Sequence, residues 1–373
     1  MTEAQDLPGR AAAAPATGRR RGRWPHLALE VRQHMPGPQQ ALMLGASLVA
    51  GIAISTLVLV AAGVPAGNLL DEFVISIFTR PRNLANVLVY TAPLVIVGLA
   101  AAVAFRARFW NIGIEGQMIF GAIGATLIAN HDIGPEGARL YLMAATAAFA
   151  GMVWMLVPAL LKLRLEVNEI ISTLLLNYVA FNFLLFLLYG PWKDPQSAFP
   201  HSKMYDAAER LTRIGFFNVD TSIYLAFALA VGCFLLLVVS RFGFLLNFVH
   251  ANPKMARAMG VRVAVLVLSA ALVSAALAGV AGFVISAGID NRMTQSFFVG
   301  YGFSGILIGF LARNNPVLVV FFAALIAVLM VAGQGLQVFY QIPSSMVLLI
   351  QAIIVICAAA SEFLIRYRLR LVR

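Results

Sequence analysis

The chain has 373 residues, of which 61% are hydrophobic and 12% are charged, and its mean hydropathy of +0.87 excludes an ordinary water-soluble domain. The net charge of +11 does not indicate a nucleic-acid polymer as partner, because the basic residues stand between long apolar runs. Cys233 and Cys357 lie in separate apolar stretches and supply neither a disulfide framework nor a cysteine metal site. The high hydrophobic share and the low charged share together predict an integral membrane protein.

Residues 1–39 come before the apolar runs and contain the basic, low-complexity sequence RAAAAPATGRRRGRWP. They carry no apolar periodicity, so we predict a disordered basic arm on the cytoplasmic side. A transmembrane domain is predicted over 40–367, and a basic cytoplasmic tail over 368–373 follows it. The first apolar run begins at Ala41 and continues past Val60, which favours a retained span over a cleaved signal.

Ten apolar intervals carry few enough charges to be candidate membrane spans. They are residues 41–63, 84–104, 117–130, 141–161, 170–189, 221–240, 263–284, 302–312, 316–333 and 344–365. A spanning helix needs about 20 apolar residues, so 117–130 and 302–312 are too short to cross the hydrocarbon alone. We expect an irregular segment to complete each of these two passages.

Lysine and arginine are divided unevenly between the loops on the two sides. With ten spans and a cytoplasmic N-terminus, 19 of the 27 basic side chains lie inside and 8 lie outside. Because basic loops favour the cytoplasmic side, both termini are predicted to be cytoplasmic.

Two segments of similar length form inverted halves, each with four spans. The first half, at about 84–189, starts outside, and the second, at about 263–367, starts inside. In each half a long span leads into a glycine-rich polar stretch and then a short helix, at 111–117 and at 300–305. Paired interruptions of this kind are typical of a transport pathway near the bilayer midplane. The alternative is that both stretches are ordinary loops.

Nucleotide motifs do not explain these glycines. Gly300, Gly302 and Gly305 fit the pattern G-x-G-x-x-G, but the stretch lacks the strand and the βαβ unit that a dinucleotide site requires. The chain also lacks the sequence G-x-x-x-x-G-K-[ST], so we expect any ATP hydrolysis to occur in another polypeptide. The five histidines are scattered without metal-ligand spacing.

Glu115 stands at the start of the first short span. An ionisable side chain inside a membrane is a candidate for function. A carboxylate near a helix N-terminus can equally be structural, because it accepts backbone N–H bonds and is favoured by the helix dipole. The sequence leaves both interpretations open.

Polar residues four apart mark one face of the fifth span: Glu169, Thr173 and Asn177. We predict that this face points into the protein, where it either lines a pathway or bonds to neighbouring helices. Small residues repeat in the same way along the seventh span, at Ala270, Ser274, Ala278 and Gly282. That ridge predicts a surface on which another helix packs closely.

The cytoplasmic stretch 241–262 contains the signals of one short helix. Asn252 suits the N-cap, Pro253 the first helical position and Gly260 the stop. A helix of one or two turns is unstable alone. We therefore expect it to pack on a cytoplasmic partner or, alternatively, on its own membrane domain.

Three phrases resemble permease subunits of ABC importers in the ribose and branched-chain amino-acid group. They are NIGIEGQMIFGAIGA at 111–125, NEIISTLLLNYVAFNFLLFLLYGPWKDP at 168–195 and ANPKMARAMGV at 251–261. Within this group the chain is most similar to nucleoside, or simple-sugar, permeases. The resemblance extends over about 84–360 and leaves the basic arm outside it.

The resemblance implies an all-α polytopic fold of the cobalamin-importer class, with about ten helices, in the lipid bilayer of a bacterial cytoplasmic membrane. It implies a second, similar permease, two ATP-binding subunits that hold ATP and magnesium, and an extracytoplasmic substrate-binding protein. This chain itself is expected to be neither an enzyme nor a holder of a cofactor or metal.

The resemblance also implies roles for individual residues. Substrate contacts are expected at Asn111, Glu115, Gln117 and Asn177. Coupling to the ATPase subunits is expected at Asn252, Lys254, Met255, Arg257 and Gly260.

We therefore expect a permease that forms the pathway for nucleosides or related sugars by ATP-driven alternating access. One alternative is an ion-coupled secondary transporter of a small polar solute, which shares inverted halves but needs a cation site. A passive channel would conduct without an energy source. A membrane enzyme would need clustered titratable or metal-ligand residues, which the sequence does not suggest.

Overall fold

The fold is described from a computed structural model that covers residues 26–32, 35–67, 75–214, 219–297 and 300–372. The helices are α1 Gly37–Ala61, α2 Ser76–Thr79, α3 Pro81–Arg106, α4 Ile114–Asn130, α5 Glu136–Leu165, α6 Glu169–Tyr189, α7 Ser222–Phe234, α8 Arg241–Ala251, α9 Pro253–Ala258, α10 Val263–Val284, α11 Tyr301–Leu311, α12 Pro316–Tyr340 and α13 Ser344–Arg366. The strands are β1 His26–Val31, β2 Arg213–Ile214, β3 Val219–Asp220 and β4 Tyr367–Val372. A π-helical turn extends α7 over Leu235–Val239 and α10 over Ile285–Ile289, and 3-10 turns occur at Ala207–Glu209 and Gln295–Phe297.

Eight of these helices are long and apolar enough to cross a membrane. They are α1, α3, α5, α6, α7 and α10 with their π-helical turns, α12 and α13. The helices α4 and α11 have only 17 and 11 residues and are the two short members of the set. Over the described residues, eight long and two short helices match the ten candidate spans, and the prediction of which two are short is confirmed.

The two predicted halves interlock instead of forming separate bundles. Helix α3 of the first half packs against α11 and α12 of the second, and α10 of the second half packs in the same way against α4 and α5 of the first. The helices α3 and α10 also pack against each other at the centre. As a result, 83% of the apolar window of α3 is buried, whereas the corresponding share is 17% in α1 and 22% in α5.

Glycines allow this close approach around α10. A Cβ on Gly279 would meet the carbonyl of Ala147 on α5, and a Cβ on Gly282 would meet the carbonyl of Met118 on α4. The predicted ridge of small residues is buried, with Ala270, Ser274 and Ala278 fully inaccessible. Its interpretation as a packing surface is therefore confirmed.

The two ends of the helix bundle are defined by polar contacts between distant segments. At the predicted cytoplasmic end, Arg106 Nη1 donates to the carbonyl of Leu237 (2.7 Å) and its Nε to that of Asn314 (3.1 Å). At the predicted outer end, the Tyr205 hydroxyl bonds to Thr126 Oγ1 at 2.6 Å. The segments around Arg106, Leu237 and Asn314 thus meet at one end of the bundle, and those around Thr126 and Tyr205 meet at the other. A topology of ten spans requires this grouping.

The loop after α6 covers the outer end. Its residue Glu209 binds Arg139 Nη1 at 3.1 Å, and the same guanidinium nitrogen binds Asp132 at 2.6 Å. Burial raises the pKa of the Tyr205 hydroxyl to about 12, so this group stays protonated and neutral inside the loop.

The chain ends differ from the disordered arm that we predicted over 1–39. Strand β1 pairs antiparallel with β4, which occupies most of the predicted tail, and α1 begins at Gly37. The register aligns Leu27 with Leu371 and Leu29 with Leu369, so the period-two alternations of the two runs coincide. Neither run is a stable strand alone, which is why sequence reasoning about each end separately missed the pair. The first 25 residues lie outside the described part of the chain.

Candidate functional site

The segment 107–113 between α3 and α4 turns back into the helix bundle. Its residue Asn111 is fully buried and reaches Ser274, to whose Oγ the Asn111 Nδ2 donates at 3.1 Å. Ser274 lies about three turns, or 16 Å, into α10, so Asn111 is close to the middle of a hydrocarbon layer that is about 30 Å thick.

Amide groups hold this segment in place. Asn111 Nδ2 donates to Gln117 Oε1, and Gln117 Nε2 donates back to Asn111 Oδ1, each at 3.0 Å. The same Asn111 oxygen also accepts from the N–H of Gly113, the residue before α4 begins. The pair thus closes a loop at the start of a short helix whose own first turn leaves backbone groups unpaired.

The face of α6 that carries Glu169, Thr173 and Asn177 points inward, as predicted, with all three residues buried. Asn177 Nδ2 donates to the carbonyl of Ile112 (2.9 Å), and Asn177 Oδ1 accepts from the N–H of Gly116 (2.8 Å). Thr173 Oγ1 accepts from the N–H of Ile112 at 3.2 Å. This face therefore binds the irregular backbone next to α4 and provides the hydrogen bonds that lipid cannot.

Glu115 connects the two interruptions. Its carboxylate accepts from the N–H of Gly302 at 2.5 Å and from that of Gly300 at 3.4 Å, and both donors stand at the start of α11. A Cβ on Gly302 would collide with the Glu115 backbone and carboxylate, so this approach requires glycine. Gly300 has a φ of +85°, a left-handed conformation that glycine adopts without strain.

The helices α4 and α11 are half-helices whose N-termini face each other across this carboxylate. From there α4 runs about 26 Å to the predicted outer end and α11 about 16 Å to the predicted cytoplasmic end. Each N-terminus carries roughly half a positive charge. One buried carboxylate therefore stabilises two opposed helix dipoles, in agreement with the structural interpretation of Glu115. It does so at the point where the sequence predicts that both short spans are interrupted.

All four residues proposed as substrate contacts lie in this network, and each is at most 1% exposed: Asn111, Glu115, Gln117 and Asn177. Their polar atoms bond to the protein itself. The structure brings them together as a buried connection between the halves, and substrate contact at these residues stays a prediction.

Helix α9 has the predicted start and stop. Asn252 Oδ1 accepts from the N–H groups of Lys254 and Met255, each at 3.1 Å, and Gly260 has a φ of +83°. Ala256 is fully buried and packs on the membrane domain beside Val249 and Val263. The short helix therefore packs on its own membrane domain through one small residue, Ala256.

The other face of α9 is open. Its exposed residues are Lys254, Met255, Arg257 and Ala258, and Met259, directly after the helix, is also exposed. Met255 is 54% and Met259 66% exposed, and they stand one turn apart. Two exposed methionines between basic side chains form an apolar surface with a charged rim, and Met259 was missed by the sequence reasoning.

A second feature that the sequence reasoning missed is a polar stripe on the outside of α6. Tyr178 and Asn182 are exposed near the middle of this 21-residue span, and Tyr189 is exposed at its outer end. Asn182 Nδ2 donates to the carbonyl of Tyr178 at 2.8 Å. An exposed amide at this depth is costly against lipid, so the stripe marks a surface that faces water or protein. A polar residue in the middle of an apolar span was the available signal.

The polar stripe continues toward the start of α11. The Tyr189 hydroxyl donates to Gln295 Oε1 at 3.3 Å, just before α11 begins. On α12, the exposed amide of Gln334 donates to the Tyr90 hydroxyl at 3.1 Å. These polar groups and the half-helices are typical of polytopic membrane transport proteins.

Comparison with known proteins identifies the family. A model described as branched-chain amino acid transport system / permease component matches residues 83–359. The chain belongs to this family of permease components, and the resemblance seen in the sequence is confirmed.

Three relatives are similar over most of the chain. A glucose ABC transporter permease protein of Haloferax volcanii is 33% identical over 86% of this chain and 88% of its own. Two guanosine ABC transporter permease proteins of Bacillus subtilis are each 28% identical. One match covers 84% of this chain and 92% of the relative, and the other covers 73% and 88%. The chain is accordingly an ABC transporter permease component, and the predicted all-α polytopic fold is confirmed.

Proposed function

We propose that this chain forms, with a second and similar permease, the translocation pathway of an importer for nucleosides or related sugars, driven by ATP in partner subunits. The observation that carries the proposal is α9. A helix of six residues that buries one alanine and exposes Met255, with a second exposed methionine at its C-cap, is built to dock on another protein. A helix this short is marginal in water, so a partner that covers its exposed side chains would stabilise it.

The two termini and α9 lie on the cytoplasmic side in this proposal, and the membrane is a bacterial cytoplasmic membrane. Support comes from the basic residues, of which 19 of 27 then lie inside. Each of the two ATP-binding subunits is expected to meet the α9 of one permease and to bind ATP and magnesium itself.

A second permease is supported by the polar stripe on α6. The Asn182 amide would face either a water-filled pathway or a partner subunit, and both lie between two permeases. The two guanosine permease proteins of one Bacillus organism that match this chain support an unlike pair. The outer loop after α6 is the surface on which an extracytoplasmic binding protein is expected to deliver substrate.

Substrate class is proposed from the relatives. Guanosine and glucose permeases are both similar to this chain, and we favour nucleosides because the sequence phrases resemble the nucleoside group. Competition for uptake by guanosine, free ribose and glucose separates these classes. Uptake that glucose inhibits and guanosine does not would contradict the choice.

The mechanism is tested by uptake into cells that express the chain with its ATPase subunits. We expect uptake to stop when the ATPase cannot hydrolyse ATP. Uptake that persists would reject the ATP-driven mechanism. Accumulation by the chain alone in liposomes under a proton or sodium gradient would establish the ion-coupled alternative.

Docking through α9 is tested by two substitutions. Arg257→Glu reverses a charge on the exposed face, and Met255→Pro removes the N–H that the Asn252 cap binds. We expect each to lower ATPase co-purification by about tenfold or more, with unchanged membrane insertion. Arg241→Glu, at the start of α8, is the matched control. Normal transport by both variants would contradict the proposal.

The α6 stripe is tested by labelling cysteines from the water phase. In a chain without Cys233 and Cys357, we expect Asn182→Cys to react with a membrane-impermeant thiol reagent. Val231→Cys on α7, which is also exposed, should not react because it faces acyl chains. Equal protection of both positions would show that Asn182 does not face a pathway.

A further inference from the structure

A cavity of about 470 Å³ opens beside α9. Its lining includes Arg108, Lys162, Glu166, Val249, Arg257 and Val263. These residues come from the ends of α3 and α5 and from α8, α9 and α10. The cavity therefore joins the proposed docking helix to the segment that leads into α4.

The lining combines an apolar floor with a basic rim. Phe109, Val249 and Val263 are buried and form the floor. The rim carries the cations of Arg108, Lys162 and Arg257 against the single carboxylate of Glu166.

The rim cations are unequally available to a ligand. Lys162 Nζ binds Glu169 at 2.7 Å, so its charge is already neutralised. Arg108 is exposed, and among the described residues it makes only a long contact, from Nη2 to the carbonyl of Ala251 at 3.5 Å. Arg257 is also exposed and stands across the cavity on α9. Two guanidinium groups therefore face the same opening, and guanidinium binds phosphate oxygens in a fixed, two-pronged geometry.

The depth of the cavity matches lipid headgroups. Val263 and Val267 lie in the first turns of the spanning helix α10. Arg257 lies on α9, in the stretch that precedes α10 and is predicted to be cytoplasmic. The cavity therefore lies at the boundary between hydrocarbon and water, on the side that the function proposed above makes cytoplasmic. Basic pockets between helices at this boundary attract anionic lipid headgroups.

We propose that this cavity binds the phosphodiester headgroup of an anionic phospholipid, with the phosphate between Arg108 and Arg257 and the glycerol end of the lipid against Val263 and Val267. A bound lipid would fasten α9 to the segment that precedes α4. An acidic peptide would match the rim as well, but it would not use the apolar floor at the level of the first turns of α10.

The test measures lipid retained by the full chain in membrane-scaffold particles, with native mass spectrometry as the readout. The particles contain phosphatidylcholine with or without phosphatidylglycerol. We expect the wild-type chain to retain phosphatidylglycerol selectively. Arg108→Gln should lower that retention by roughly fivefold, as expected for one cation near an anionic headgroup. The control is Arg164→Gln, an exposed arginine on α5 outside the cavity lining, which should retain the lipid as the wild type does.

Three results would overturn the proposal. The first is that the wild-type chain retains both lipids equally, or that the wild type and Arg108→Gln retain equal amounts of phosphatidylglycerol. The second is displacement of phosphatidylglycerol by inorganic phosphate, which would define a site for a free anion. The third is loss of ATPase co-purification from Arg108→Gln in lipid-free detergent, which would assign the cavity to a protein segment. Retention is measured without transport, so these results are independent of whether the proposed substrate is right.

Discussion

Glu115 shows what a single residue contributes to this fold. Its carboxylate stabilises the N-termini of two half-helices that come from opposite halves of the chain. Sequence reasoning placed the carboxylate at a helix N-terminus and recognised that this position has a structural explanation. The partner, Gly302, is 187 residues away. Local rules for capping describe neighbours in the sequence, so they do not predict such a contact.

Substitution of Glu115 separates its charge from its hydrogen bonds. We expect Glu115→Gln to lower stability by up to about 2 kcal/mol through loss of the charge between two dipoles. Glu115→Ala should cost a further 1–3 kcal/mol or so, because the Gly302 N–H then lacks a partner. Thermal unfolding in detergent measures both variants. Glu136→Gln, an exposed carboxylate in the first turn of α5, is the control and should cost less than about 1 kcal/mol. Equal effects at both positions would refute this role.

Asp220 predicts a pH dependence of stability. Burial raises the pKa of its carboxyl, although Ser222 donates to Oδ1 and the charge of Arg213 favours the ionised form. The second oxygen, Oδ2, is buried with no hydrogen-bond partner among the described residues. With a raised pKa, the folded chain holds this proton after the unfolded chain has lost it. The stabilisation is therefore present below the ordinary aspartate range and is lost as pH rises through the folded-state pKa.

We therefore expect the unfolding temperature of the wild-type chain to fall as pH rises above about 4. Asp220→Asn should reduce this decline. It should not abolish it, because burial also raises the pKa of Asp290 at the same end of the protein. Thermal unfolding across a pH series gives the measurement, with Asp206→Asn in the exposed loop as the control. A decline of the same size in Asp220→Asn would show that this carboxyl is not responsible.

At the scale of helices, the sequence predicts most of the architecture. Hydropathy and length identify the ten spans and the two short ones, because the bilayer sets both requirements. Cap residues define α9, because Asn252 and Gly260 act within a few residues of themselves. The sequence does not show which helices touch. The small-residue ridge on α10 indicates close packing, but its partners α4 and α5 follow only from the three-dimensional arrangement.

Gly279 provides a test of that packing. We expect Gly279→Ala to lower stability by about 1–3 kcal/mol, because its Cβ would press on the backbone of α5. Gly232→Ala on α7 meets no atom within 4 Å and is the matched control. That change should be neutral or should stabilise the helix by up to about 1 kcal/mol. Thermal unfolding in detergent compares them. Similar stability of the two variants would contradict close packing at Gly279.

At the scale of the whole molecule, the halves exchange their central helices. Inversion of the halves stays a prediction from matching lengths and offsets. Their interlocking was not predictable from the sequence, because hydropathy patterns contain nothing about the neighbours of each span. The same holds for the residues predicted to contact substrate, because the sequence does not show what their side chains touch. Asn111, Gln117 and Asn177 are polar because they hold an interrupted backbone inside the bundle, and their sequence is equally compatible with a pathway lining.

Interlocking predicts the behaviour of a divided chain. We expect two fragments separated in the outer loop after α6, near residues 196–197, to be unstable when each is expressed alone. Expressed together, they should assemble, because α3 needs α11 and α12 and α10 needs α4 and α5. Co-purification through a tag on one fragment measures assembly. A division within α10 is the control and should prevent assembly. Stable accumulation of either loop-divided half on its own would argue against the interlocked arrangement.

The antiparallel pairing of β1 and β4 sets residue 26 beside residue 372. A short linker between these positions would close the polypeptide into a ring without displacing a helix. Since an even number of spans separates the joined ends, the ring could be opened in any loop at the end opposite α9 to give a circular permutant whose new ends both emerge on that side. Reporters or affinity handles could then be placed there, leaving the surface around α9 unencumbered.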